Sequence, residues 1–365
     1  MRVFQNAGLY PAYRPRLSAL TRDAIGFDGK LDAFKHDRYG ACHVLKPVYD
    51  KDSTVIFTNG DDENLQQAWG RENGLARDAS LEDILLAQIE NHRSEVFYNS
   101  HPMMFGNGFL AKLPGCVKLK IAWRAAPSKG GDFDRHDVFL NNFPGILDDF
   151  RSKGLRAEYF APAHDPEMTP YAVNGDRPVD VLFVGGYSRY HKRRAEVLEA
   201  VADLGRDFRV HYHLDQSRLL RLAESPFGWA GPLREHRRPK TVRSVSRSPL
   251  FGRALYTAIS QAKIVLNGAV DMAGPDRGNM RCWEALGCGA LLVSDEGRYP
   301  EGMTDGETIR TYRDGQDAAS TIREMLNAPI AAQELASAGH RMIATRYSKQ
   351  NQWNDFQSIV AECWP

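Results

Sequence analysis

The stretch from Asp271 to Asp295, DMAGPDRGNMRCWEALGCGALLVSD, constrains this chain more than any other. It opens with Gly, Pro and Asp, the residues of a loop. Asn279 stands where a helix N-cap belongs, and the spacing predicts a short helix over Met280 to Leu286. Gly287 and Gly289 end that helix. Ala290 to Ser294 is a short apolar run bounded by Gly and Asp, the pattern of a buried strand. A loop that feeds a helix N-terminus is a ready anion site, because the first N–H groups are unpaired and the helix dipole is positive there. A diphosphate suits it, held by the amides around Gly278, Asn279 and Met280. Asp276 in the loop and Glu284 in the helix can meet a ligand from different sides.

The remaining chain supplies an α/β frame for this corner. Its 365 residues suggest about two domains. The 47 Lys+Arg against 46 Asp+Glu give no global reason to expect nucleic acid. No apolar run approaches the roughly 18 residues of a spanning helix. The start, MRVFQNAGLY, lacks a basic segment followed by a long apolar one, so it reads as a first strand and the expected location is cytoplasmic. The five cysteines have no CxxC spacing, which predicts reduced thiols and neither a disulfide framework nor a metal site.

Strands are expected at Val3 to Gln5, Thr54 to Thr58, Glu95 to Asn99, Val117 to Trp123 and Val138 to Leu140, with a further one at Cys42 to Pro47. Arg14 and Arg16 read as solvated surface or as contacts to a phosphate or acidic acceptor. Ser100-His101-Pro102 closes the third good strand, and Arg124 and Lys129 follow the fourth. Four prolines between 162 and 178 mark a linker. Val179 to Val184 then runs into Gly185-Gly186, as if a second sheet were starting, and Tyr187 to Arg194 opens a helix with Arg189 and Lys192 at its start. Glycines after a strand let backbone approach phosphate, and fixed cations can bind it. Residues 234–253 carry seven Arg/Lys against one Glu, which reads as a mobile basic loop touching phosphates or an acidic acceptor.

The run Asn279-Met-Arg-Cys-Trp-Glu284-Ala-Leu-Gly-Cys-Gly289 resembles the signature of GT-B-fold glycosyltransferases of the CgeB-like, group 1 type. The strand-Gly-Gly-basic-helix pattern at 179–194 is similar to the loop that opens their C-terminal domain. The resemblance implies two Rossmann-like domains facing each other across a cleft: 1–165 on the acceptor side, 166–345 on the donor side, and a helix over 346–365 crossing back. It implies a retaining, metal-independent transfer from a nucleotide-sugar, UDP-sugar favoured over GDP-sugar, with no further cofactor. Gly186, Arg189, Lys192, Gly278, Asn279, Met280 and Glu284 would hold the nucleotide, Glu284 through the ribose. Asp276, where the family has Glu, and His101 would touch the donor sugar. The acceptor stays open among a glycan, a lipid-linked glycan and a protein, with a peripheral membrane contact. Two alternatives stay open as well: a sugar-nucleotide epimerase, and a non-enzymatic binding protein that uses 234–253.

Overall fold

The computed structural model describes all residues from 1 to 365 except 188–190, 216–217, 230–232, 234–236 and 269–273. Its contacts divide the chain into two compact units. The first comprises Met1–Ala163, Met272–Asp276 and Tyr347–Pro365, and the second His164–Asp271 and Arg277–Arg346.

The first unit holds strands β1 (Val3–Asn6), β2 (Val55–Thr58), β3 (Val96–Asn99), β4 (Leu119–Trp123), β5 (Val138–Asn141) and β6 (Ala157–Tyr159), all parallel in the order β2-β1-β3-β4-β5-β6. Every residue of β1, β3 and β5 is buried. Helices cover both faces of such a sheet, which is why β3 and β5 read as apolar runs ending in one amide, while β1 ends in Gln5-Asn6. Phe4, Phe97, Phe105 and Phe109 pack with Leu85 and Ile89 of the helix Leu81–His92. That helix starts on a capping box, Ser80 with Asp83, which satisfies two otherwise orphaned amides. The helix Lys349–Cys363 also belongs here. Lys349 Nζ donates to the carbonyls of Ala41 and Val44 at 2.6 Å each, and Phe356 packs on Tyr98 and Phe160.

The strand expected at Cys42 to Pro47 is absent. A 3-10 turn, Ala41–His43, and a helical turn, Lys46–Tyr49, stand in its place. The Gln5 side chain takes the His43 carbonyl and the Leu45 N–H, groups a ladder would have used, and Pro47 has no N–H to offer one.

The second unit repeats the scheme. Strands β7 (Val179–Gly185), β8 (Val210–Leu214), β9 (Ser246–Arg247), β10 (Ala262–Leu266), β11 (Leu291–Asp295) and β12 (Arg310–Tyr312) are parallel in the order β12-β11-β10-β7-β8-β9. One face, with Val181, Phe183, Tyr212, Ile264 and Val293, packs on Val197, Leu198 and Val201 of the helix Lys192–Ala202 and on Ala318 and Ile322 of the helix Gly315–Asn327. The stretch 234–253 is not a loop throughout. Its described part contains the helix Lys240–Val245, whose Val242 and Val245 enter the core three positions apart, and then β9. The proline-rich stretch near 162–178 carries a 3-10 turn, Pro166–Met168, and the helical turn Thr169–Ala172, with Pro166 and Pro170 in first turns where a missing N–H costs nothing. Among the described residues no helix is long and apolar enough to cross a membrane.

Chain order reverses once in each sheet, between β1 and β3 and between β7 and β10. Open α/β sheets place ligands outside the carboxyl ends of the strands at such a reversal.

Candidate functional site

In the second unit the reversal lies between Gly185, at the end of β7, and Asn267, just beyond β10. A Cβ added at Gly185 would come within 3.2 Å of both Arg194 Nη2 and the Phe183 ring, so the glycine lets the arginine lie under the loop. At Gly186 the nearest atom to an added Cβ is Asp215 Oδ2 at 3.8 Å, which leaves that stretch of backbone open. The Arg194 guanidinium sits 5.3 Å above the Phe183 ring. Its Nε is buried with no hydrogen-bond partner among the described residues. Burial pulls its pKa below the ordinary value, with nearby Tyr312 and Asp295 acting in the opposite sense.

The 271–295 corner forms as its residues dictate. Asn279 caps the helix Met280–Gly287 by accepting from Arg281 N at 3.1 Å, and its amide donates to Asn267 Oδ1 at 3.1 Å. Cys282 N bonds the Asn279 carbonyl. The N–H groups of Asn279 and Met280 are left without a partner among the described residues. Gly278 has φ 117, a conformation that side chains rarely adopt. Asn267 passes the network on to Ser294 Oγ at 3.0 Å, and the Tyr312 hydroxyl donates to the Asn267 carbonyl at 2.6 Å. The ends of β10, β11 and β12 are thus tied together.

Two buried ion pairs flank this network. Arg277 Nε lies 2.7 Å from Asp295 Oδ2, and Arg281 Nη1 lies 2.5 Å from Glu284 Oε2. Burial raises the Glu284 pKa, and Arg281 opposes the rise. The Cys282 thiol is pushed up to about 12 by burial, so it is no nucleophile at neutral pH. Of the residues expected to hold the nucleotide, Gly186, Gly278, Asn279, Met280 and Glu284 all lie at these strand ends and the adjoining helix. Lys192 is exposed in the first turn of its helix. Arg189 lies outside the described residues.

In the first unit the reversal is built from amides. Asn6 Nδ2 donates to Asn99 Oδ1 and Gly60 N donates to Asn6 Oδ1. Asn99 donates to the Phe105 carbonyl and accepts from His101 N. Asn141 bonds the Arg124 carbonyl and Phe143 N. His101 therefore leaves β3 on a fixed path, with its Nδ1 buried and unbonded among the described residues. Gly8 is its neighbour: a Cβ there would fall 2.6 Å from that nitrogen. Arg14 and Arg16 pair with Asp61 and Asp37 at 2.6 and 2.5 Å.

Asp276 is fully buried, and its Oδ2 accepts from Gly145 N at 2.6 Å in the first turn of the helix Pro144–Ser152. It therefore counts with the first unit, whereas Glu284 counts with the second. The reading of the residues missed Arg194, Arg277, Arg281 and Asp295. Arg281 carried a signal, three positions before Glu284 on one helix face. Arg194 carried none, since a basic run at a helix start gives no sign of which member turns inward.

Residues 193–358 match the family described as glycosyl transferase-like. No curated protein matches the chain. Among solved structures, HepE of Anabaena in complex with UDP-glucose superposes with TM-score 0.60 at 10% identity, over 99% of this chain and 100% of that one. A TarM mutant of S. aureus in complex with fondaparinux, α-GlcNAc-glycerol and UDP gives 0.55 at 12%, over 77% and 59%. The sucrose-phosphate synthase of Thermosynechococcus elongatus gives 0.51 at 11%, over 84% and 82%. The resemblance to GT-B glycosyltransferases agrees with both comparisons at the level they reach: residues 193–358 are similar to the glycosyl transferase-like family, and the chain as a whole shares the fold of these solved GT-B structures.

Proposed function

We propose that the protein transfers a sugar from a nucleotide-sugar, with UDP as the leaving nucleotide, to a glycan, lipid-linked glycan or protein acceptor in the cytoplasm. The observation that carries this reading is Arg194, half-buried with a buried Nε that has no partner among the described residues, packed against Gly185 at the chain reversal. HepE and TarM, whose fold it shares, were solved with UDP-glucose and with UDP.

In this reading the diphosphate lies on the Gly186 backbone and the amides of Asn279 and Met280. Arg194, Arg189 and Lys192 neutralise it. Preorganised cations stabilise charge that develops on the leaving diphosphate and cost no reorganisation as it forms. In this reading these side chains supply that charge without a metal ion. Glu284, held by Arg281, accepts from the ribose hydroxyls. His101 and Asp276 are assigned to the donor sugar, with the Gly145 hydrogen bond fixing the Asp276 carboxylate. Retention of configuration follows the family resemblance.

A binding screen with UDP-, GDP- and dTDP-sugars, followed by product analysis with and without candidate acceptors, tests the reading. UDP-sugar binding with acceptor-dependent release of UDP is the expected result. An epimer formed from donor alone would point to the epimerase instead, and no nucleotide-sugar binding at all would sink both.

A further inference from the structure

We propose that the outer face of β8 and β9 is a track for an extended polyanionic chain, a polymer with a phosphate or carboxylate on each repeat. The chain as a whole is nearly neutral, so this is a local property. Val210, Tyr212 and Leu214 point into the core of the second unit. Alternation therefore sends Arg209, His211 and His213 to the opposite face of β8. Arg247 on β9 is in register with His213 and joins them. Arg209 and Arg247 are exposed, and the two histidines are half-buried.

Four nitrogen-bearing side chains thus form one row. Burial, followed by Arg247, His213 and Arg209, lowers the His211 pKa, as expected of an imidazole crowded by cations. Neither arginine has a carboxylate partner among the described residues. Arg247 donates to the neighbouring Ser246 carbonyl, and Asp180 is bonded to the Arg209 backbone N–H and to Lys263. Elsewhere in 237–253, Arg238 bonds Glu224 twice at 2.6 Å, Arg253 pairs with Glu167 and Arg237 bonds backbone carbonyls, whereas the Arg243 Nε is buried without a partner among the described residues. Arg247 is exposed on β9 beside His213, whose Nδ1 is bonded to the Ser248 carbonyl, so its charge faces outward.

The row spans about 13 Å, four residues of strand. That is an extended line, unsuited to a compact anion. Its upper end runs into Asp215, whose N–H bonds the Gly185 carbonyl at 3.1 Å. A chain lying on the row therefore ends beside the glycine loop. That the chain is the acceptor rests on the transferase reading above; that the row binds a polyanion does not.

The test is titration of the full-length protein with short-chain inorganic polyphosphate, with polygalacturonate and with neutral dextran, at 50 and 200 mM salt. UDP is titrated in parallel. Polyanion affinity should fall at least about tenfold over that salt range, as for ligands held by several ion contacts, and dextran should not bind. R209E/R247E should lose at least tenfold, and the milder R209Q/R247Q at least threefold, with UDP affinity and melting temperature unchanged. R206E/R323E makes the same charge change on exposed arginines whose carboxylate partners are 3.9 Å away, and it should stay within twofold of the parent. Wild-type polyanion affinity in R209Q/R247Q, or an equal loss in R206E/R323E, overturns the proposal. Failure to bind UDP would sink the transferase reading and leave the polyanion result to be judged alone. The preferred polymer tells phosphate from carboxylate.

Discussion

The two units share a parallel six-stranded architecture and finish their strands differently. In the first, the reversal is held by the neutral amides Asn6 and Asn99, bonded to each other and to Gly60, His101 and Phe105, while Asn141 ties the end of β5 to Arg124 and Phe143. In the second, the same place is held by Arg277 with Asp295 and Arg281 with Glu284, and it keeps Arg194 in reserve. An amide network fixes loops and leaves no charge for a ligand to meet. A network of buried ions fixes loops too, yet adding an anion to it costs little, because the cations are already desolvated. One fold thus gives a stiff neutral rim and a charged receptor.

The largest test of that contrast is Glu284→Ala. It leaves Arg281 buried without its partner and should cost ~3–5 kcal/mol of stability in urea unfolding, with part recovered in Glu284→Ala/Arg281→Met. A cost under about 1 kcal/mol would mean the second unit is not held by ion pairing. Next is Arg194→Ala, which should leave the midpoint of unfolding almost unchanged and weaken UDP by ~1.5–3 kcal/mol, read by calorimetry. Unchanged UDP affinity would remove Arg194 from the phosphate site. In the first unit, Asn99→Leu strands the partners of a buried amide and should cost ~1–3 kcal/mol of stability, with UDP affinity intact. A matching loss of UDP affinity would collapse the division of labour.

The smallest effect is on pH. Burial lowers the His43 pKa to about 3 and the His136 pKa to about 4. Both are neutral in the folded first unit and titrate near 6.5 once unfolded. The stability this neutrality gives is present above pH 6.5 and is lost as pH falls from 6.5 toward 4, at no more than ~1.4 kcal/mol per pH unit for each group. His43→Phe should flatten that acid limb. An unaltered limb would place the titration elsewhere.

How much of this was legible depended on whether local residues decided the outcome. Asn279 and the glycines at 287 and 289 fix the cap and stop of one helix, and that corner formed within a residue of expectation. The 42–47 segment was lost because Gln5, some 40 positions away, took its backbone groups. The helix Lys240–Val245 was lost because two valines among arginines give a weak apolar signal, and only a tertiary core makes it decisive. Asp276 sits in a loop as expected, but its hydrogen bond to Gly145 spans 131 positions, a partner that no local pattern names.

The first unit is assembled from three separate lengths of chain, and its last contributor, the helix Lys349–Cys363, supplies the ammonium that binds the Ala41 and Val44 carbonyls. This orders events on the ribosome. Residues 1–163 are completed only after the helix Lys349–Cys363, which carries their partner, has been made. The second unit, encoded almost without interruption from 164 to 346, has all its strands in hand before then. A released chain truncated after residue 346 should accordingly resist protease over 164–346 and stay open over 1–163, because domains generally close as units once their own chain is available.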